Sequence, residues 1–149
     1  MVPQAPSISK RVLTDAGLWI AYYDSKDKYH ALAVQIMPRI QGAMILLPWP
    51  ILYETLRTNF LKRPKNVSLF CDQLPRLNHV KVPDDAYREK ALIECLDWAT
   101  RNGRQLSLAD VVLRYIMQDT AWRVGYLATF NGKDFSDVCA KKRIEIIAA

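Results

Sequence analysis

One stretch constrains the fold more than any other: AMILL, residues 43–47, apolar without a break. A strand with one wet face alternates polar and apolar residues, whereas a short unbroken run reads as a strand buried on both faces. Sheets covered on both sides are parallel ones, because their crossover connections lay helices over each face. The rest of the chain supplies the parts. RVLTD (11–15) reads as a short strand ending in an acid, VKV (80–82) as another, YLATF (126–130) as a further apolar strand and RIEII (143–147) as the last.

Helical stretches fall between these strands. AGLWIAYYD (16–24) reads as a helix, followed by the charged loop SKDK (25–28). Over 29–41, Leu32, Val34, Ile36 and Ile40 stand at helical spacing, and Pro38 is expected to bend or shorten that helix. Further helices are expected over 48–63, entered through prolines that suit a first turn, and over 66–77. The clearest spans 83–103, with Pro and acids at its start, an apolar stripe of Ala91, Leu92, Cys95, Leu96 and Ala99, and Asn-Gly at its end. Ser107 opens the next, and KDFSDVCAKK (133–142) reads as a short one. Strands alternating with helices give an α/β fold, three layers α/β/α around a mostly parallel sheet. A chain of 149 residues suits a single domain, here 11–149, after a loose leader over 1–10 containing Pro3 and Pro6.

Several classes drop out. The longest apolar run, AMILLPWPIL (43–52), is too short to span a membrane and carries prolines. The opening MVPQAPSISK lacks the apolar core of a secretory signal. Cys71, Cys95 and Cys139 form no CxxC pair, which favours a reducing cytoplasm over a disulfide framework or a zinc site. No glycine-rich loop follows any expected strand, so a Rossmann-type small-molecule binder is disfavoured. The net charge of +6 favours an anionic partner such as nucleic acid, though many soluble proteins carry a similar excess.

In an open parallel sheet, ligands bind beyond the carboxyl ends of the strands, at a switch point in strand order. Asp15 ends the first strand, Glu54 lies near the start of the helix after the second, and Asp110 falls in the first turn of its helix. Asn131 and Asp134 follow YLATF. All five groups can therefore meet at one edge. Bare carboxylates crowded there repel one another, and a divalent cation is the usual remedy. Oxygen donors without nearby His or Cys favour magnesium or manganese, which suit phosphodiester hydrolysis and require no Ser, Cys or His nucleophile. Each acid also has a plainer reading. Ser107 and Asp110 have capping-box spacing, Asp15 can cap the next helix, and Glu54 can face solvent. The apolar company of Glu54 in ILYETL and Asp110 in LADVVL places both near the core's edge, where acids need partners. Asp119, nine residues past Asp110, falls on the opposite helical face and is left out.

Together VLTDAGLWIAYYDSKDKYH, the Glu in ILYETL, LSLADVVL, and LATFNGKDF with its closing strand resemble the PIN-domain family, metal-dependent nucleases that include VapC-type toxins of bacterial toxin–antitoxin pairs. The resemblance covers about 11–147 and rests on the order and spacing of motifs that are individually weak. It implies a parallel sheet with helices on both faces and an endoribonuclease using Mg2+ or Mn2+. It makes Asp15, Glu54 and Asp110 the core acidic ligands and Thr129 the opening of the fourth motif. There the chain departs from the simplest pattern: Asn131 stands where an Asp is usual, with Asp134 three residues on, so either is a candidate for the fourth ligand. The resemblance also implies RNA as substrate, a small antitoxin partner and a homodimer. The alternative is a non-catalytic PIN-like module that binds RNA or protein.

The remaining polar residues have two readings each. His30, near the proposed edge, could touch substrate, although a surface histidine is the plainer reading. Arg57 and Arg114 lie on the helical faces of Glu54 and Asp110, to pair with them or to meet phosphate. The basic clusters Lys62, Arg63, Lys65 and Lys141, Lys142, Arg143 are solvated faces or tracks for an RNA backbone. Trp19, Trp49, Trp98 and Trp122 sit in apolar stretches and read as core or dimer contacts.

Overall fold

The computed structural model describes residues 11–147, so the expected leader lies outside the described residues. Strands β1 (Arg11–Thr14), β2 (Ile45–Pro48), β3 (His79–Val82), β4 (Val124–Ala128) and β5 (Glu145–Ile147) form one sheet in the order β3-β2-β1-β4-β5. Every pairing is parallel, where the sequence led us to expect a mostly parallel sheet. The first strand is central. The chain works outward through β2 and β3, then crosses back to lay β4 along the other side of β1. The order thus reverses between β1 and β4, and the connections beyond their carboxyl ends part to leave a crevice.

The helices are α1 (Ala16–Tyr23), α2 (His30–Ile40), α3 (Trp49–Thr55), α4 (Thr58–Leu61), α5 (Pro64–Gln73), α6 (Arg88–Asp97), α7 (Leu108–Gln118) and α8 (Ser136–Lys142). They sandwich the sheet in a PIN-like α/β/α arrangement. The central strands are buried on both faces, as AMILL required: all of β2 and the last three residues of β1 are buried. Trp19 and Phe135 are the largest side chains wholly inside.

Several boundaries differ from expectation. Pro38 does not end α2, which runs on to Ile40. The helix expected over 48–63 is broken into α3 and α4 by the extended backbone of Arg57 (ψ 167°). Pro64 starts α5 earlier than expected, and Pro75, which has no N–H to donate, leaves only a tight turn over Leu74–Arg76 beyond it. Residues 83–87 form a turn before α6, and the helix leads into a wide π turn that ends at Gly103 in the left-handed region (φ 66°). The expected stripe on α6 is only partly covered. Ala91 is buried, but Leu92 (42%) and Leu96 (57%) are exposed. The helix rests instead on the segment that opens α7, where the Cys95 thiol donates to the Leu106 carbonyl at 3.4 Å. The stretch over 133–142 divides into a tight turn, Gly132–Asp134, and α8.

Candidate active site

The site starts from a buried threonine. Thr14, fully enclosed at the end of β1, donates to the Leu46 carbonyl (3.0 Å) and accepts from the Trp19 indole N–H (3.0 Å), so β1, β2 and α1 are fastened at one point. The next residue is Asp15. Its backbone N–H reaches across the switch point to the Ala128 carbonyl (3.1 Å), carrying the sheet bonding one residue beyond β1. One carboxylate oxygen accepts from the Ala16 N–H (2.8 Å) and caps α1; the other accepts from the Thr129 hydroxyl (2.8 Å). Asp15 is therefore both a helix cap and the pivot of the crevice. Thr129 in turn accepts from the Asn131 N–H (3.0 Å), which sets the turn that carries Asn131 and Asp134.

Asp110 likewise belongs to a helix start and to the crevice wall. Ser107 caps α7 and accepts the Asp110 N–H (3.1 Å), while Asp110 lines the crevice. The crevice has a volume of about 340 Å³ and brings together Asp15, Glu54, Asp110 and Asn131, with Arg57 at its margin. Asp134 does not line it, though its charge acts on both Asp15 and Asp110.

The electrostatics follow from burial and crowding. Desolvation, with lesser help from Asp134, raises the Asp15 carboxyl above the ordinary range, against the bonds from Thr129 and Ala16 that favour the charged form. Desolvation also raises Glu54, with Asp15 and Asp110 adding repulsion and Arg57 opposing it. Asp110 is pushed up to about 6, first by burial and then by Asp15. Among the described residues, no three of His, Cys, Asp and Glu already stand as a metal cage. The donors that face the crevice are nonetheless all oxygen, and their mutual repulsion is of the kind a hard divalent cation relieves.

Two residues expected near substrate are occupied elsewhere. Arg114 is buried at 6% exposure, turns away from the crevice, and grips Asp137 through two bonds (2.8 and 2.6 Å). The same guanidinium donates to the Asp134 carbonyl (2.9 Å), joined there by Arg104 (3.2 Å), and both cations lie over the Trp98 ring. Arg114 thus holds the turn that presents Asp134. His30 bonds the Ala21 carbonyl through Nδ1 (2.7 Å) and does not line the crevice. Thr14, Arg104 and Asp137 are the supporting residues that sequence reasoning missed. The available signal was a charged Arg114 inside an apolar helix, which demands a buried partner without saying which acid supplies it.

The five-stranded parallel sheet, its helices on both faces and the acid-lined crevice at its switch point have the PIN-like α/β/α fold. No protein-family model and no curated protein matches the chain. Among solved structures it is similar to VapC20 of Mycobacterium tuberculosis, a PIN-domain toxin that cleaves the sarcin–ricin loop. The TM-score is 0.63 at 16% identity, over 85% of this chain and 94% of that one.

Proposed function

We propose that this protein is a Mg2+- or Mn2+-dependent endoribonuclease that hydrolyses RNA phosphodiester bonds, the toxin of a toxin–antitoxin pair acting in the cytoplasm. One observation carries the reading: separate acids from β1, α3 and α7 meet over a switch point, in a fold shared with an RNA-cleaving toxin. Asp15, Glu54 and Asp110, with Asn131 and Asp134, would hold the cation. Such an ion neutralises phosphoryl charge and makes water a better nucleophile near neutral pH. Thr129 fixes the rotamer of Asp15, and the two N–H···O and O–H···O bonds keep its geometry ready before substrate arrives. Glu54 and Asp110 line the crevice beside Asp15, and a carboxylate there would accept the proton that the attacking water loses. Arg57 at the margin offers its cation to a phosphate oxygen. A homodimer and a small antitoxin covering the crevice complete this reading.

The test is direct. Purified protein should cut RNA with Mg2+ or Mn2+ and stop when a chelator is added. Asp15→Asn should lower cutting by at least about a hundredfold while circular dichroism stays that of the parent. Undiminished cutting in that variant would overturn the assignment. A second reading, a non-catalytic RNA-binding module, is favoured by the lack of a ready cage among the described residues and by Asn131 in the fourth motif. It requires that RNA be bound and never cut, equally with and without the metals.

A further inference from the structure

The acid crevice does not end at Glu54. Ile20 and Arg57 belong to its wall and also to the wall of a second cleft, which continues between α1 and the α4–α5 segment. That cleft, about 90 Å³, is lined further by Asp24, Asn59, Arg63 and Asn66. Its mouth widens past Lys26 and Lys65. Along this path arginines and side-chain amides replace the cluster of acids, and Asp24, the carboxylate of the cleft wall, is paired with Arg63. Arg63 is held in place by Asp24 at 2.5 Å, and Arg57 has no ion pair among the described residues. The Asn59 and Asn66 side chains make no hydrogen bond among the described residues, and each offers both a donor and an acceptor.

We infer that this cleft and its mouth, a basin of about 530 Å³, form the subsite for the nucleotide next to the scissile phosphate, with Arg57 and Arg63 on the RNA backbone and Asn59 and Asn66 reading a base edge. The inference rests on the acid crevice being the cutting site. A chain running from that crevice to the cleft passes Ile20 and Arg57, the two residues that the walls share. Arginine forks match phosphate oxygens and side-chain amides match base edges, so the lining offers the donors and acceptors that a nucleotide requires.

Binding measured by fluorescence anisotropy tests this on the full chain, with short labelled oligo-A, oligo-U and oligo-C RNAs in chelator so that nothing is cut. Arg57→Ala/Arg63→Ala should weaken binding to all three by at least about tenfold and flatten the log–log salt slope by about 1.4, two phosphate contacts' worth on single strands. Asn59→Ala/Asn66→Ala should leave the slope alone and weaken the three RNAs unequally. Asp24→Asn, which frees Arg63, should tighten binding, a gain that misfolding cannot produce. Unchanged affinity and slope in the double arginine variant would overturn the subsite even if the protein cuts RNA with metal. Tighter binding of poly-glutamate than of an RNA of equal charge would also overturn it. Should the variants behave as expected while no metal supports cutting, the nuclease reading falls and with it the subsite beside a scissile phosphate, leaving the cleft as an RNA-binding site alone.

Discussion

At the scale of the residue, Asp110 shows how one side chain carries two assignments. It completes a helix start with Ser107, and it pays electrostatically for a place beside Asp15. Its carboxyl titrates near 6 in the folded protein, above the ordinary value of an unfolded aspartate, so the fold binds its proton more tightly than the open chain does. That contribution to stability is complete below the unfolded value and disappears as the pH rises through about 6. The metal-free protein should therefore melt at a lower temperature at about pH 8 than at about pH 5, and Asp110→Asn should raise the melting temperature at the higher pH and flatten the dependence. A parent whose melting temperature climbs across that interval, with no gain in the variant, would contradict this account. The position of Asp110 was legible because its acid sits in an apolar helix; that it would lie near Asp15 required the strand order.

At the scale of the element, the turn bearing Asp134 is held from behind. Arg114 on α7 and Arg104 share its carbonyl, and Asp137 at the start of α8 anchors Arg114. The arginine bonds hold the Asp137 carboxyl well below the usual carboxylate range, so this pair stabilises the fold above the unfolded value and loses its effect as the pH falls. Asp137→Asn should lower the melting temperature by a few degrees at neutral pH, and the gap from the parent should begin to narrow below about pH 4 and go on narrowing as the pH falls further. It should also slow RNA cutting, because the Asp134 turn loses its anchor. A gap that persists in acid would place the loss elsewhere. Element boundaries were the least legible part of the sequence. The expected single helix over 48–63 is two, because nothing in RTNF announces the extended backbone at Arg57. The apolar stripe of α6 is legible, yet Leu92 and Leu96 on it are exposed, since helical spacing records an apolar stripe but not which neighbour covers it. The strands fared better: an unbroken apolar run leaves few alternatives to a covered parallel sheet.

At the scale of the whole molecule, charge is divided by the two edges of the sheet. The acids gather where the strands end. Lys141, Lys142 and Arg143 close α8 and lead straight into β5, which puts them at the edge where the strands begin. Sequence gave these residues the same standing as Lys62, Arg63 and Lys65; topology separates the clusters. Lys141→Ala/Lys142→Ala should leave RNA cutting within about twofold of the parent, with most of the salt dependence intact. A drop comparable with that expected for the Arg57/Arg63 pair would mean that RNA wraps to the far edge.

The bond between Thr129 and Asp15 spans 114 positions of the chain. A growing polypeptide therefore has no seat for its first acid until β4 and the residue after it have emerged and docked beside β1. Any fragment that stops short of Thr129 lacks the hydroxyl that orients Asp15, so the crevice is assembled only from a chain long enough to close the sheet on both sides of β1.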